Sequence, residues 1–362
     1  MKVAIVHDWL VSLGGGERVV EALHELFPDA PVYTTIYDKK RLPESFENIN
    51  VIPSFLQHLP FAKKKHQMFL SLMPIAFESF DLSHFDLVIS SSSSCAKGVI
   101  TGANTIHICY CHTPMRYAWD FYHEYTKHFK GIKKLIVSLL MKNVRMWDRL
   151  SADRVDYFIA NSKNVANRIQ KHYKRDSTVI YPPVDVGKYR PGNTENNFYL
   201  IVSRLIPYKK VDLAIEVFNE LGLSLKIIGS GTELKKLKQS SNSNIEFLGN
   251  LRDEEVKEYY ANCKAFIFPG EEDFGITPLE AQASGTPVIA YGKGGVLETV
   301  IDGTTGLLFF EQTREALMQK IKVMEGGCCF DKEKIRDHAL GFSKQVFQKE
   351  MLAFIERVVE KR

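Results

Sequence analysis

Two carboxylates and two cations stand where they could handle a phosphorylated ligand. Gly270-Glu271-Glu272-Asp273-Phe274-Gly275-Ile276-Thr277-Pro278-Leu279-Glu280-Ala281 follows the apolar run Ala265–Phe268. Pro278 suits the first turn of a helix, where its missing N–H costs nothing. Glu280 is expected inside that turn, and Glu272 in the loop before it. The backbone N–H groups of Gly275, Ile276 and Thr277 would then lack intrahelical partners, and with the helix dipole they would hold an anion such as a diphosphate. Carboxylates on either side of that anion can accept hydrogen bonds from sugar hydroxyls. Taken alone, Glu272 and Glu280 read equally well as a solvated loop acid and a helix-cap acid. The second stretch, Ser203-Arg204-Leu205-Ile206-Pro207-Tyr208-Lys209-Lys210, follows another apolar run. Arg204 and Lys209 would sit where a strand ends, Arg204 able to grip a phosphate in bidentate fashion. Either motif alone is weak; both, in this order on these elements, point to a diphosphate cradle.

A third constellation lies near the N-terminus. Gly14-Gly15-Gly16 separates the run Val3–Val6 from a helical pattern through Val19, Val20, Leu23 and Leu26. With Asp38 about 20 residues on, this half-resembles a dinucleotide fingerprint, but Val19 stands in place of the third glycine. Ser90–Ser94 reads as a phosphate-facing strand end or as a plain loop. His112 follows the run Thr105–Cys109; a lone histidine in such a place is usually a structural residue.

These residues need scaffolds. Val3–Val6, Val32–Ile36, Leu87–Ile89, Thr105–Cys109 and Tyr157–Ala160 are short apolar runs, several separated by helical stretches, which predicts a parallel sheet. A second series follows: Phe198–Ser203, the helix Val211–Leu221, Leu225–Gly229, Ile245–Leu248, Ala265–Phe268 and Pro287–Ala290. Between them, Pro182 and Pro183 and the polar, turn-forming stretch 190–197 mark a boundary. The expected fold is α/β, with two doubly wound Rossmann-like domains facing a central cleft. The expected limits are 1–187, 188–342 and a C-terminal helix over 343–362 that could cross back to the N-terminal domain. Its face is Phe347, Met351, Phe354, Ile355 and Val358. In such sheets ligands bind outside the carboxyl ends of the strands, and motifs on both domains imply closure around one ligand.

Composition adds limits. With 362 residues, 45% apolar and 25% charged, the chain suits two globular domains. Residues 1–190 hold 25 Lys and Arg against 18 Asp and Glu, whereas the remainder holds 22 against 25. A basic front half and a mildly acidic back half suit different partners. The cysteines, Cys95, Cys109, Cys111, Cys263, Cys328 and Cys329, form no Cys-x-x-Cys and no zinc spacing, so buried reduced thiols are expected. The N-terminus begins directly on a strand pattern, without the apolar core of a signal peptide, and no apolar stretch approaches the roughly 20 residues that span a bilayer.

Taken together, Arg204 with Lys209, the seven residues between Glu272 and Glu280, and Phe274-Gly275-x-x-x-Leu279-Glu280-Ala281 resemble glycosyltransferase family 4. Ala283-x-Gly285-x-Pro287-Val288-Ile289-Ala290, Gly294-Gly295-x-x-Glu298, Tyr110-Cys111-His112-Thr113-Pro114 and Ile159-Ala160-Asn161-Ser162 extend the resemblance from residue 3 to about 310. It implies a GT-B fold, retention of anomeric configuration, and a nucleotide diphospho-sugar donor bound mostly by the second domain. Arg204 and Lys209 would bind the diphosphate, Glu272 the sugar hydroxyls and Glu280 the ribose. Gly14–Gly16 would approach the donor phosphate, and His112 would lie near the reacting sugar. No cofactor, metal or nucleic acid is expected; protein cations would do the metal's work.

Val6-His7-Asp8-Trp9-Leu10 with Gly14-Gly15-Gly16-Glu17, and His112 through Asp120, look most like mannosyltransferases of bacterial surface-polysaccharide assembly, which implies GDP-mannose and a glycan or lipid-linked acceptor. A UDP-sugar donor is the alternative. A nucleotide-sugar epimerase would need further acid–base carboxylates, a phosphorylase a lysine for pyridoxal phosphate, and a non-catalytic glycan-binding module would not need Arg204, Lys209, Glu272 and Glu280 intact.

Residues 126–150 place Lys127, Lys130, Lys134, Lys142, Arg145 and Arg149 near one helical stripe, with Leu135, Ile136, Leu139, Leu140, Val144 and Trp147 as apolar surface. Lys63-Lys64-Lys65 adds a basic cluster beside Leu59, Phe61, Met68 and Phe69. Such surfaces suit an anionic inner leaflet, so a cytoplasmic protein peripheral on the inner face of the membrane is expected. The plainer reading makes the apolar side core and the lysine side solvated.

Overall fold

The computed structural model describes residues 1–192 and 197–361. Part of the turn expected over 190–197 therefore lies outside the described residues. The chain forms two units: unit 1 is Met1–Pro183 with Phe347–Arg362, and unit 2 is Val184–Val346.

Unit 1 is built on β1 (Val3–His7), β2 (Val32–Thr34), β3 (Val51–Pro53), β4 (Leu87–Ser92), β5 (Ile106–Cys111), β6 (Tyr157–Ala160) and β7 (Ser177–Val179). Every pairing is parallel, in the order β3-β2-β1-β4-β5-β6-β7. Central strands are buried throughout, as a sheet covered on both faces requires. One face is sealed by Val19, Val20 and Leu23 of the helix Gly15–Leu26 and by Phe347, Met351, Phe354, Ile355 and Val358 of the helix Lys344–Glu360. The terminal helix is thus part of unit 1: Gln348 donates to Glu25 at 2.8 Å, and Phe347 meets Tyr110 edge to face.

Unit 2 repeats the plan with β8 (Phe198–Val202), β9 (Ser224–Ile228), β10 (Ile245–Gly249), β11 (Ala265–Phe268), β12 (Val288–Tyr291) and β13 (Gly306–Phe309), ordered β10-β9-β8-β11-β12-β13 and again all parallel. In both units the order reverses beside the first strand, at β1/β4 and at β8/β11. Helices turn opposite ways there, and the carboxyl ends of those strands open a crevice for ligands.

The helix Val211–Leu221, β6 and β11 have the limits expected from their apolar patterns. Strands β3, β7 and β13 escaped sequence reading. Each is three or four residues long and lies at a sheet edge, where pairing on one side removes the demand for a long apolar run, and β3 ends in Pro53, tolerated at an edge. Two expectations need correction. Cys328 and Cys329 lie at the surface, unlike the buried Cys95, Cys109, Cys111 and Cys263. The basic stripe over 126–150 is broken, because the long helix spans Gly131–Ser151 and starts at a left-handed Gly131, leaving Lys127 and Lys130 ahead of it.

Buried His107 on β5 meets Ser90 Oγ through Nε2 at 2.8 Å. Burial pushes its pKa from 6.5 down to about 4, against the pull of Asp156. The unfolded chain takes up this proton as pH falls below about 6.5, while the fold resists it until about 4. Stability is therefore lost as pH falls through that window, by up to about 1.4 kcal/mol per pH unit for this group. Urea unfolding at successive pH values should show the advantage of wild type over His107→Gln shrinking on acidification. A constant gap would rule out a neutral, buried His107.

Candidate active site

In unit 2 the two motifs meet at the β8/β11 reversal. β8 runs into Ser203 and Arg204, and a short turn, Pro207–Lys209, brings Lys209 back beside β11. There Ser203, Lys209, Phe268 and Gly270 line one small recess. The Lys209 ammonium forms an ion pair with the Glu272 carboxylate. Arg204 is exposed and donates to Tyr208 Oη at 3.3 Å, and the Lys209 cation lies 5.6 Å from the Tyr208 ring. The Glu272 loop is held from behind by the turn after β12: Gly295 N–H donates to Glu272 O at 2.9 Å. Gly294 and Gly295, flagged by sequence only as part of a pattern, thus set the position of Glu272.

The helix after this loop is Ile276–Ala283, entered through Gly275 at φ 91° and ψ 80°. A side chain at Gly275 would be strained in this left-handed conformation. The N–H groups at the start of the helix are those a helix cannot satisfy internally. Glu280 differs from expectation. It lies beyond the first turn and is buried, with Tyr260 Oη donating to its Oε2 at 3.1 Å. The helix begins at Ile276 rather than at Pro278, which moves Glu280 one position into the second turn.

Unit 1 holds Gly14–Gly16 and His112. The helix starts at Gly15, after the loop that follows β1, and carries Glu17 buried in its first turn. His112 follows β5. Its Nε2 lies 2.7 Å from Ser91 Oγ, and the same hydroxyl lies 3.1 Å from His7 Nδ1, with Ser91 O also 3.1 Å from that nitrogen. His7 Nε2 is 3.8 Å from Glu17 Oε1. Gly16 sits in close approach: a Cβ there would stand 3.2 Å from the His7 ring and 3.4 Å from that of His112.

The two histidines are driven apart electrostatically. Burial pulls the His7 pKa down, but the hydrogen bond and charge of Glu17, the charge of Asp8 and the Ser91 carbonyl outweigh it, leaving His7 raised. Burial, with the neighbouring His7, pushes His112 down to about 3. His112 is therefore neutral rather than a cation, and its Nε2 shares one hydrogen bond with the Ser91 hydroxyl.

Asp8 settles the reading of Ser90–Ser94. Its Oδ2 accepts from Ser93 N at 2.6 Å, Ser94 N at 2.9 Å and Ser93 Oγ at 3.0 Å. Its Oδ1 accepts from Cys95 N and Ala96 N, each at 2.8 Å. The N–H groups at this strand end are occupied by this internal carboxylate. Asp8, Glu17 and Ser91 were missed as positioning residues because a buried polar contact across the sheet leaves no mark in local spacing.

Residues 13–188 match the family described as Glycosyltransferase Family 4, and residues 189–326 match Glycosyl transferases group 1. The chain belongs to glycosyltransferase family 4. An uncharacterized glycosyltransferase of Methanocaldococcus jannaschii is 32% identical over 193 residues, so that the match spans about half of each protein, 51% of this chain and 54% of that one. α-1,3/1,6-Mannosyltransferases of Schizosaccharomyces pombe and Dictyostelium discoideum are 24% and 23% identical over 85% of this chain, covering 70% and 86% of their own lengths. In fold, a sucrose-phosphate synthase from Thermosynechococcus elongatus aligns over the whole of both chains with TM-score 0.76 at 16% identity. The Anabaena protein HepE, solved in complex with UDP and glucose, aligns with TM-score 0.72 at 18% identity over 98% of this chain and 99% of its own. This family 4 chain thus has the GT-B fold. Among its described residues no group of three or more His, Cys, Asp and Glu is placed to hold a metal ion.

Removing the Asp8 carboxylate should strand several buried N–H groups at once. Asp8→Ala is expected to cost on the order of 3 kcal/mol or more in urea unfolding, at about 1–3 kcal/mol per unsatisfied buried group. A loss within about 0.5 kcal/mol, the ordinary range for a surface substitution, would show that the loop does not depend on it.

Proposed function

We propose that this glycosyltransferase moves mannose from GDP-mannose onto a lipid-linked or oligosaccharide acceptor, with retention at the anomeric carbon and without a metal ion, in the assembly of a surface polysaccharide. The supporting observation is the convergence of Arg204, Lys209, Glu272 and the Gly275 helix start on one strand-order reversal. That is where a doubly wound sheet binds nucleotides. The α-1,3/1,6-mannosyltransferase relatives, matched over 85% of this chain, favour mannose.

In this reading Lys209 leaves its ion pair with Glu272 to meet the donor diphosphate, joined by Arg204 and the N–H groups of Gly275, Ile276 and Thr277. Glu272 is released to accept from sugar hydroxyls, and Glu280 faces the ribose. Departure of a nucleoside diphosphate concentrates negative charge on its terminal phosphate, and fixed cations and helix dipoles lower that barrier most when they are already aimed there. The bond from C1 to the phosphate oxygen breaks. The acceptor oxygen bonds to C1 on the same face, and its proton passes to the departing phosphate oxygen. In this reading His112 of unit 1, neutral, hydrogen-bonds a sugar hydroxyl. A UDP-sugar donor is the second reading, favoured by the fold-level likeness to a protein solved with UDP and glucose.

A thermal-shift screen of GDP, UDP, ADP and their sugar conjugates, with EDTA throughout, reads the donor directly. Stabilisation by GDP and GDP-mannose, undiminished by EDTA, is expected; a preference for UDP would replace the donor, and a shift lost in EDTA would reject the metal-free site. Lys209→Ala and Glu272→Ala should each lower turnover by about 10²-fold or more, the scale of one lost transition-state contact. Near-wild-type transfer in either would remove the role assigned to it.

A further inference from the structure

The helix Gly131–Ser151 has two apolar faces, and unit 1 uses only one. Val144 and Trp147 pack into the core that also holds Leu56, Ala62, Met73 and Phe77. Trp147 Nε1 donates to Glu78 at 3.1 Å. Asp148 is buried, paired with Lys97 and accepting from Trp119 Nε1 at 2.7 Å and from Tyr173 Oη. The other face is Ile132, Leu135, Ile136, Leu139 and Leu140, spaced i, i+3, i+4, i+7, i+8, continued by Met146 and Leu150, and every one of them is exposed. Ile132 is 78% and Leu135 61% exposed. In a helix whose apolar side was only core, these positions would be covered.

The charge on this helix is mostly of one sign; exposed Asp153, just past its end, pairs with Arg149 at 2.7 Å. Lys127, Lys130, Lys133, Lys134, Lys142, Arg145 and Arg149 fall within or just before the helix. Its single acid, Asp148, is buried and neutralised by Lys97. The segment packed against the same core adds a second element. Phe61 holds φ at 64°, a left-handed conformation that a bulky residue rarely adopts. The turn is pinned by Lys64 N and Lys65 N donating to Phe61 O at 3.0 and 2.8 Å. The backbone thereby presents a ring that is 71% exposed, directly before exposed Lys63, Lys64 and Lys65, with Met68 and Ile75 exposed beyond.

We propose that this face of unit 1 docks on an anionic lipid bilayer, lying in its interface. The stripe Ile132–Leu140 and the Phe61 ring would enter the acyl boundary, while the lysines bind lipid phosphates. Apolar residues alternating with cations, and no exposed acid on the helix, match a surface that is apolar beneath and anionic above. A second copy is disfavoured by the same charges, since a two-fold contact through this face sets lysine against lysine. The helix does not cross the bilayer: among the described residues no helix is long and apolar enough.

The test is co-sedimentation of the full chain with vesicles of phosphatidylcholine alone and of phosphatidylcholine mixed with phosphatidylglycerol, without donor or acceptor, so that it reads docking whatever the transferase reaction proves to be. Binding to the anionic vesicles, weakened by salt, is expected. The Leu135→Ser/Leu139→Ser pair, Phe61→Ser and the triple exchange of Lys63, Lys64 and Lys65 to Gln should each reduce it, the leucine pair by about tenfold or more. These positions are exposed, so the thermal unfolding midpoint should stay unchanged. Equal binding to neutral vesicles, no binding, or binding that survives the leucine pair would overturn the proposal. A concentration-dependent dimer abolished by that pair would overturn it in favour of a second copy.

Discussion

The carboxylate of Asp8 accepts from four successive backbone N–H groups, residues 93 to 96, and unit 1 is organised around that contact. It joins the end of β1 to the loop after β4 across the point where strand order reverses. Just before that loop, Ser91 on β4 stands between His7 and His112, and the loop sets the backbone from which Lys97 reaches Asp148. A buried carboxylate is costly unless its lone pairs are filled, so the loop cannot move without exposing a charge. The N–H groups of that loop are thus already taken by a built-in carboxylate.

Unit 2 builds its helix start from different parts. Gly275 opens the helix, Gly295 buttresses the Glu272 loop from β12, and Lys209 meets Glu272. The two reversals are chemically different as a result. One is filled by its own carboxylate and presents a neutral histidine, while the other sets Arg204 and Lys209 beside the Glu272 carboxylate.

Lys97 and Asp148 extend the first of these arrangements outward. Asp148 ties the long helix to Lys97, Trp119 and Tyr173, so the helix is rigidly placed through its polar residue while its apolar stripe stays uncovered. A helix held only by apolar packing would rotate that stripe into the core. The buried ion pair fixes which face turns outward.

Much of the fold was legible in the sequence because parallel strands buried on both faces must be apolar throughout and are punctuated by glycine-rich turns. That sufficed for β6, β11 and the helix Val211–Leu221 to the residue, for two doubly wound units, and for placing Arg204, Lys209, Glu272, Gly275 and His112 in the loops that follow strands. It failed at the edge strands β3, β7 and β13, whose pairing is half that of a central strand and leaves little pattern. What tertiary structure alone decided are contacts between residues far apart in the chain: Asp8 with residues 93–96, Ser91 with His7 and His112, Lys209 with Glu272, Lys97 with Asp148. It also decided that one of the two apolar faces of the helix Gly131–Ser151 turns outward while the other packs on the core. Periodicity states that a helix has an apolar face; which neighbour covers it, or whether any does, depends on where the rest of the chain has come to lie.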